Sequence, residues 1–436
     1  MRIDVPYGSP TEIHSAGVAL SAPEFAADPH GAYRDLRKRY GSLAPVELAP
    51  GVPATLVLGY RAALEILNDE FRFPADPRMW QRNVPDDNPV KQMLEYRQNA
   101  LRTAFDEHDR YRRALSCLAA VDLNRMERAV DRVAEELING FCESGTADIR
   151  MDYALPLTFR VLSEVMGFPH EAAQRAYRGM VAVLAGIGAE EGNAAFAATL
   201  CEVIVQKRAA PGDDLISRLL ASAEQLDDME MVQQVALLYA AGTEPTANLI
   251  LNTLRLALTD DRFALGLTSG TLHTRDAVDE TLFHDPPLAN FCVSYPRRPM
   301  LIDDVWLPAH QPVVISLAAC NNDPAVNRGD RTGNRSHLAW GGGGGRPPPR
   351  GRPPARRGLG PGGCPAPPPP PPPPATSAWT WNACAATSFS PSRTYLSSGS
   401  SPSRYSARCS ALMPRHVRAS VAATPSGAKL AADAVA

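Results

Sequence analysis

From about Pro23 to Leu258 apolar residues return every three or four positions, the spacing of helices with one buried face. The pattern predicts helices at "DPHGAYRDLRKRY", "YRAALEILND", "EHDRYRRALSCLAAV", "LNRMERAVDRVAEELINGFC", "YALPLTFRVLSEVMG" and "DDMEMVQQVALLYAAGTEPTANLILNTLRLAL". Two early stretches, "LAPVELA" and "ATLVLG", read as strands. Near residues 300 to 319, "MLIDDVWLP" and "QPVVISLAA" combine β-branched residues with a turn and predict a small sheet region. The fold class is therefore mainly α with a small β region. After Gly341 the periodicity stops: Gly341 to Gly345 are consecutive glycines and Pro367 to Pro374 consecutive prolines. A segment of that kind buries too little apolar area to offset chain entropy and is expected to be disordered. The prolines read as low complexity or, alternatively, as a ligand for proline-binding modules. The division expected is an N-terminal extension, 1–22, a folded domain, 23–341, and a low-complexity tail, 342–436.

The net charge of −3 averages two different polymers. From Gly342 onward Asp433 is the only acidic residue against eleven Arg or Lys, so the first 341 residues are clearly acidic. Nucleic acid is not an expected partner of the folded part. Eight cysteines without a CxxC pair, and a start that lacks a basic and then apolar leader, fit a reducing cytoplasm with no disulfide framework. No apolar run approaches the roughly 18 to 20 residues of a membrane span, and no membrane partner is expected.

Within the longest predicted helix, "LLYAAGTEPTANLI" places Ala240, Ala241 and Gly242 just before Glu244, Pro245 and Thr246. Pro245 has no N–H and its ring crowds the carbonyl of Ala241, so a bend or opening is expected at that turn. Small residues beside such a turn make a groove, and Glu244 belongs there if the groove holds water or a polar ligand. The alternative is a kinked core helix with Glu244 facing solvent. Upstream, "EHDRYRR" sets His108 and Arg112 four apart on one helix face, where both can grip an anion or simply meet solvent. Downstream, "DETLFHDPP" reads as an acidic helix ending before Pro286, and "CNNDPAV" as a turn that Asp323 can cap.

In this order the pieces resemble the cytochrome P450 family of haem-thiolate monooxygenases, in its soluble bacterial branch, over roughly Pro23 to Gly341. "EHDRYRR" is similar to the family's HxxxR helix, which implies that His108 and Arg112 contact a haem propionate. "AAGTEPT" is similar to AGxET, which implies that Ala241, Gly242 and Glu244 lie over the distal face of haem. "DETLFHDPPLANF" is similar to the helix that normally reads ExxR, "VWLPAHQPVVISLAACNNDPAV" to the strand pair and turn after it, and "SHLAWG" to the start of the haem loop. The resemblance implies insertion of one oxygen atom from O2 into a small organic substrate, with haem as cofactor and a ferredoxin-type electron donor.

Four positions depart from the family pattern. Phe283 stands where the ExxR arginine is usual, so Glu280 lacks that partner. Pro245 replaces the usual threonine, leaving Thr246 as the nearest hydroxyl for proton delivery. Ser294 falls where a propionate-binding arginine is common, with Arg297 and Arg298 close by and Arg298 taken as the substitute. The ligating cysteine is expected at position 347, which is a proline; Cys364 in "GPGGCPA" resembles the end of the haem loop, seventeen residues late, and is the candidate iron ligand. The alternative to a working monooxygenase is an inactive haem-binding remnant, or a truncated or frameshifted product with no enzymatic activity; a third reading is an unrelated all-α binding protein.

Overall fold

The structure is a computed structural model that describes residues 18–86, 88–144, 146–185, 188–326 and 337–338; the expected tail, 342–436, lies outside them. Fourteen α-helices are described: α1 Pro23–Ala27, α2 Pro29–Tyr40, α3 Tyr60–Leu67, α4 Pro89–Leu94, α5 Phe105–Ala114, α6 Leu123–Phe141, α7 Leu155–Met166, α8 His170–Ala185, α9 Ala189–Ala209, α10 Leu215–Leu220, α11 Asp228–Thr259, α12 Asp261–Ser269, α13 Thr274–His284 and α14 Leu317–Asn321. The described strands are β1 Val18–Ala19, β2 Leu43–Ala49, β3 Val52–Val57, β4 Asn290–Ser294, β5 Met300–Ile302, β6 Val305–Leu307 and β7 Val313–Ser316. Mostly α with a small β region is therefore what forms.

The strands make one sheet in the order β1-β2-β3-β7-β4 and a separate β5-β6 hairpin. β2 and β3 form a hairpin whose register runs from Leu43 opposite Val57 to Ala49 opposite Val52. β3 then pairs in parallel with β7, Thr55 against Val313, joining segments more than 250 residues apart in sequence. The β5-β6 turn holds Asp303 and Asp304 at φ 44 and 61, a left-handed pair that short-side-chain aspartates tolerate better than most residues. Asp323 caps as its sequence position predicts: its carboxylate accepts from Ala325 N at 2.9 Å and, across the fold, from Tyr60 N at the start of α3.

The 32-residue α11 is the spine, packed against α7, α9, α12 and α13. Its backbone stays helical on both sides of Pro245, so the turn does not open. Tyr239, buried in its middle, stacks on Phe159 of α7 at 4.8 Å and meets Phe168 and Phe196 edge-on, while its hydroxyl donates to Ser163 Oγ at 3.0 Å. Towards its end, Asn252 Nδ2 donates to Asp285 O at 3.0 Å and Thr253 meets Thr281, which pins α13 alongside.

The first turn of α11 carries the strongest polar joint. Asp227 and Glu230 form a capping box, Asp227 Oδ1 accepting from Glu230 N at 2.8 Å and Glu230 Oε2 from Asp227 N at 2.9 Å. The same carboxylate, only 9% exposed, accepts from Arg110 Nη2 and from the Tyr111 hydroxyl, each at 2.9 Å. One turn on, fully buried Gln234 donates to Gln98 O at 3.0 Å. Two polar residues four apart on α11 thus fix the segment that leads into α5 and α5 itself.

The Arg110 guanidinium holds the Glu230 carboxyl down at about 2, against 4.5 for the free side chain. A depressed carboxylate stabilises the fold above its unfolded pKa, and that contribution is lost as pH falls through its folded pKa. Glu230→Gln is therefore expected to cost about 2–3 kcal/mol above pH ~5, with the difference closing near pH 2. Urea unfolding of both proteins across that range checks it; a gap that does not change with pH would contradict it.

Candidate functional site

Between Gln234 and Pro245 α11 is buried except at Ala236, Ala240 and Glu244, spaced four apart, which are partly accessible. Two methyl groups and a carboxylate therefore line a partly accessible strip along the middle of the helix. Glu244 is 16% exposed and lies 3.9 Å from Arg150 Nη2, a residue of the π-helical turn Ile149–Ala154 that sequence reasoning did not single out. Burial raises the Glu244 carboxyl above its ordinary value, and Arg150 only partly offsets that. Ala241 and Gly242 are buried. A Cβ on Gly242 would lie 2.8 Å from Leu162 Cδ2, so its small size serves the close approach of α7. Thr246 is partly buried, and Thr243 Oγ1 is buried with no hydrogen-bond partner among the described residues.

The second group sits at the start of α5. No side chain of Ala104 can cap this helix, and Phe105 takes φ 57. Glu70 supplies an anion from outside: its carboxylate accepts from Phe105 N at 3.3 Å and lies 3.2 Å from His108 Nδ1. His108 is 5% exposed, and its proximity, with Arg112 adding to it, lowers the Glu70 carboxyl. His108 and Arg112 thus face an existing carboxylate, although sequence reasoning missed Glu70 as their neighbour. Arg297, beside the candidate Arg298, lies over Phe71 at 4.8 Å and Phe105 at 5.2 Å, so this turn borders the same corner. Arg298 itself is exposed.

α5, the helix of His108 and Arg112, packs against α11. α5 contributes Tyr111 and Ala114, and α11 contributes Leu237, Leu238 and Ala241, to one apolar core. Burial pushes the described Cys117 up to about 11 and raises buried Cys320, whose sulfur faces Val57 O. Both are thiols at neutral pH rather than thiolates. The candidate ligand Cys364 lies outside the described residues.

The chain is 26% identical over 322 residues to cytochrome P450 107B1 of Saccharopolyspora erythraea, covering 69% of this chain and 76% of that one. It is 28% identical to the cytochrome P450 monooxygenase PikC of Streptomyces venezuelae, over 73% and 78% of the two chains. Among solved structures it superposes on myxobacterial cytochrome P450 CYP267B1 with a TM-score of 0.64 and 25% identity, covering 74% of this chain and 85% of that one. CYP109Q5 of Chondromyces apiculatus gives 0.63 and 26% identity, over 75% and 84%. The chain belongs to the cytochrome P450 family. No protein-family model matches it. As a cytochrome P450 it is by kinship a haem-thiolate monooxygenase with haem as cofactor and with a small-molecule substrate, O2 and a redox partner. Among the described residues no helix is long and apolar enough to cross a membrane.

The described residues fit a haem in two respects. His108 already faces a carboxylate, that of Glu70, so its ring is placed to meet an anion, and the partly accessible positions in the middle of α11 carry methyl groups in place of bulk. α13 is the helix whose sequence resembles the one that normally reads ExxR. Phe283, 6% exposed, meets buried His337 edge-on at 5.0 Å and 90°. Glu280 turns outward, 23% exposed and 3.9 Å from Arg262 Nη2. Phe283→Arg would place a guanidinium among apolar groups with its expected partner facing away. It is expected to destabilise by about 3–5 kcal/mol, seen as a lower melting temperature; an unchanged or higher value would mean that Glu280 swings in to meet it.

Proposed function

We propose that this cytochrome P450 inserts one oxygen atom of O2 into a small organic substrate held against the Ala236–Ala240–Glu244 strip, with electrons from a ferredoxin-type donor. The observation that carries the reading is the strip itself: between Gln234 and Pro245, the middle of α11, the partly accessible residues are two alanines and a carboxylate in one line. Haem, when bound and ligated by a cysteine, would supply the O2 activation of this reaction. His108 and Arg112 are the residues to hold a propionate, His108 from the position where it now meets Glu70, and Arg298 is the further cation of that corner. Ala241 and Gly242 keep the helix slim enough for α7 to pack closely behind the site.

Glu244 is the proton carrier. Burial favours its neutral form, so it holds a proton at a pH where an exposed glutamate would not, and Arg150 stabilises the anion left after release. Thr246, two residues on, supplies the hydroxyl that Pro245 lacks. Cys364 is the proposed iron ligand.

Two measurements test this reading. Haem titrated into the full chain, then reduced and exposed to carbon monoxide, should give the red-shifted Soret band of a thiolate ligand. That band should disappear in Cys364→Ala, and His108→Ala should weaken haem binding by about 10–100-fold. A chain that takes up no haem, or shows the same spectrum in Cys364→Ala, would overturn the assignment. For Glu244 the sign is opposite to that of Glu230. A carboxyl raised by burial costs stability as pH rises above its unfolded value, so Glu244→Gln should melt above the parent at neutral pH, with the difference shrinking towards pH ~4. A variant that melts lower at pH 7 would show that the Arg150 pair outweighs desolvation.

A further inference from the structure

Away from the haem region, three metal-ligating side chains converge where α2 meets the end of α13. His30 is the second residue of α2, His284 the last residue of α13, and Asp285 the residue after it. His30 Nε2 lies 2.8 Å from Asp285 Oδ1, and the imidazoles of His30 and His284 stack with centroids 4.6 Å apart and planes 5° from parallel. One donor atom from each of the three falls within 4.8 Å of the others.

The surroundings hold these groups as ligands are held. Arg255 pairs with the second oxygen of Asp285, which leaves Oδ1 directed at the histidines. Asn252 Nδ2 donates to Asp285 O at 3.0 Å and fixes the backbone from α11. Asn322 Oδ1 lies 3.4 Å from His284 Nδ1, near enough to select a tautomer, and Tyr33 stands edge-on to His30 at 6.0 Å. Metal-bound histidines and carboxylates carry outer partners of this kind, which set ring orientation and basicity.

We propose that His30, His284 and Asp285 form a binding site for a divalent zinc-class ion. Two imidazole nitrogens and one carboxylate oxygen suit zinc, cobalt or nickel, and are a poor set for magnesium or calcium, which take oxygen. In a tetrahedral zinc site neighbouring donors stand about 3.3–3.5 Å apart, given bonds of about 2.0–2.1 Å. The cluster therefore has to contract, and His284, exposed at a helix end, can rotate to do so. The ion would replace the His30–Asp285 hydrogen bond, and water would complete its coordination. It would staple α2 to α13 from outside. Binding weakens as pH falls, because an imidazole must be neutral to ligate.

Zinc chloride titrated into the full chain, followed by calorimetry and thermal melting, tests the site. The parent should bind one ion and melt higher, and His284→Ala should bind at least about 10-fold more weakly. Cobalt(II) should give tetrahedral d–d absorption without thiolate charge transfer, which separates this site from exposed Cys142 and Cys201. His30→Ala, checked for native circular dichroism, should behave as His284→Ala does. Equal zinc affinity in parent and His284→Ala, a thiolate band with cobalt, or no response to zinc at millimolar concentration would each overturn the proposal and leave a hydrogen-bonded latch.

Discussion

The Glu230 carboxylate is the joint on which the site geometry depends. It closes the cap of α11, accepts from Arg110 and Tyr111 of α5, and is nearly buried while doing so. α5 carries His108 and Arg112, and α11 carries Ala236, Ala240 and Glu244, so the spacing of these candidate residues depends on this joint. A carboxylate with four or more donors around it is far more rigid than the single ion pairs on the surface, which are worth about 0–1 kcal/mol. Gln234 repeats the device one turn later with uncharged partners.

With that joint fixed, α11 can afford weaknesses elsewhere. Pro245 removes one main-chain donor from its interior, at a usual cost of about 3 kcal/mol, and Gly242 loses about 1 kcal/mol against alanine. Both fall in the stretch where Tyr239 is clamped by three aromatic neighbours and Ser163, and the helix stays continuous. α13 shows the same tolerance by a different route. An internal ion pair barely breaks even against apolar groups of similar shape, so packing Phe283 against His337, with Glu280 half-buried near Arg262, need not cost stability.

Helices with one clear apolar face were legible in the sequence: α2, α3, α5, α6, α7 and α11 all stand where the spacing puts them. α9 was not, because its alanine-rich run distributes apolar residues around the helix, and β4 is too short for alternation to show. The parallel pairing of β3 with β7 depends on which edges meet after helices have packed, which no local pattern encodes. At the site the contrast is similar. His108, Arg112 and Glu244 were singled out as candidates by residue type and spacing, whereas their neighbours Glu70 and Arg150 were not, since each comes from a distant segment. Gly242 was legible as a small residue in the right turn, but the reason for its size is Leu162 on α7.

The last described residues bear on how an iron ligand can be presented. Leu338 N donates to Asn321 Oδ1 at 2.7 Å and His337 is held against Phe283, so these residues are tied to α13 and α14. Between that anchor and Cys364 lie seventeen residues more than the family spacing would have. Lengthening a flexible tether from about 9 to about 26 residues adds only about 1 kcal/mol of closure entropy. Tether length is therefore a minor obstacle to ligation by Cys364. The larger one is chemical: a thiolate under haem is stabilised by main-chain N–H groups aimed at the sulfur, and Pro365 with the proline run from Pro367 offers none. A sulfur without those donors is more basic and more easily protonated, so the proline-rich sequence that follows Cys364 biases it towards the thiol.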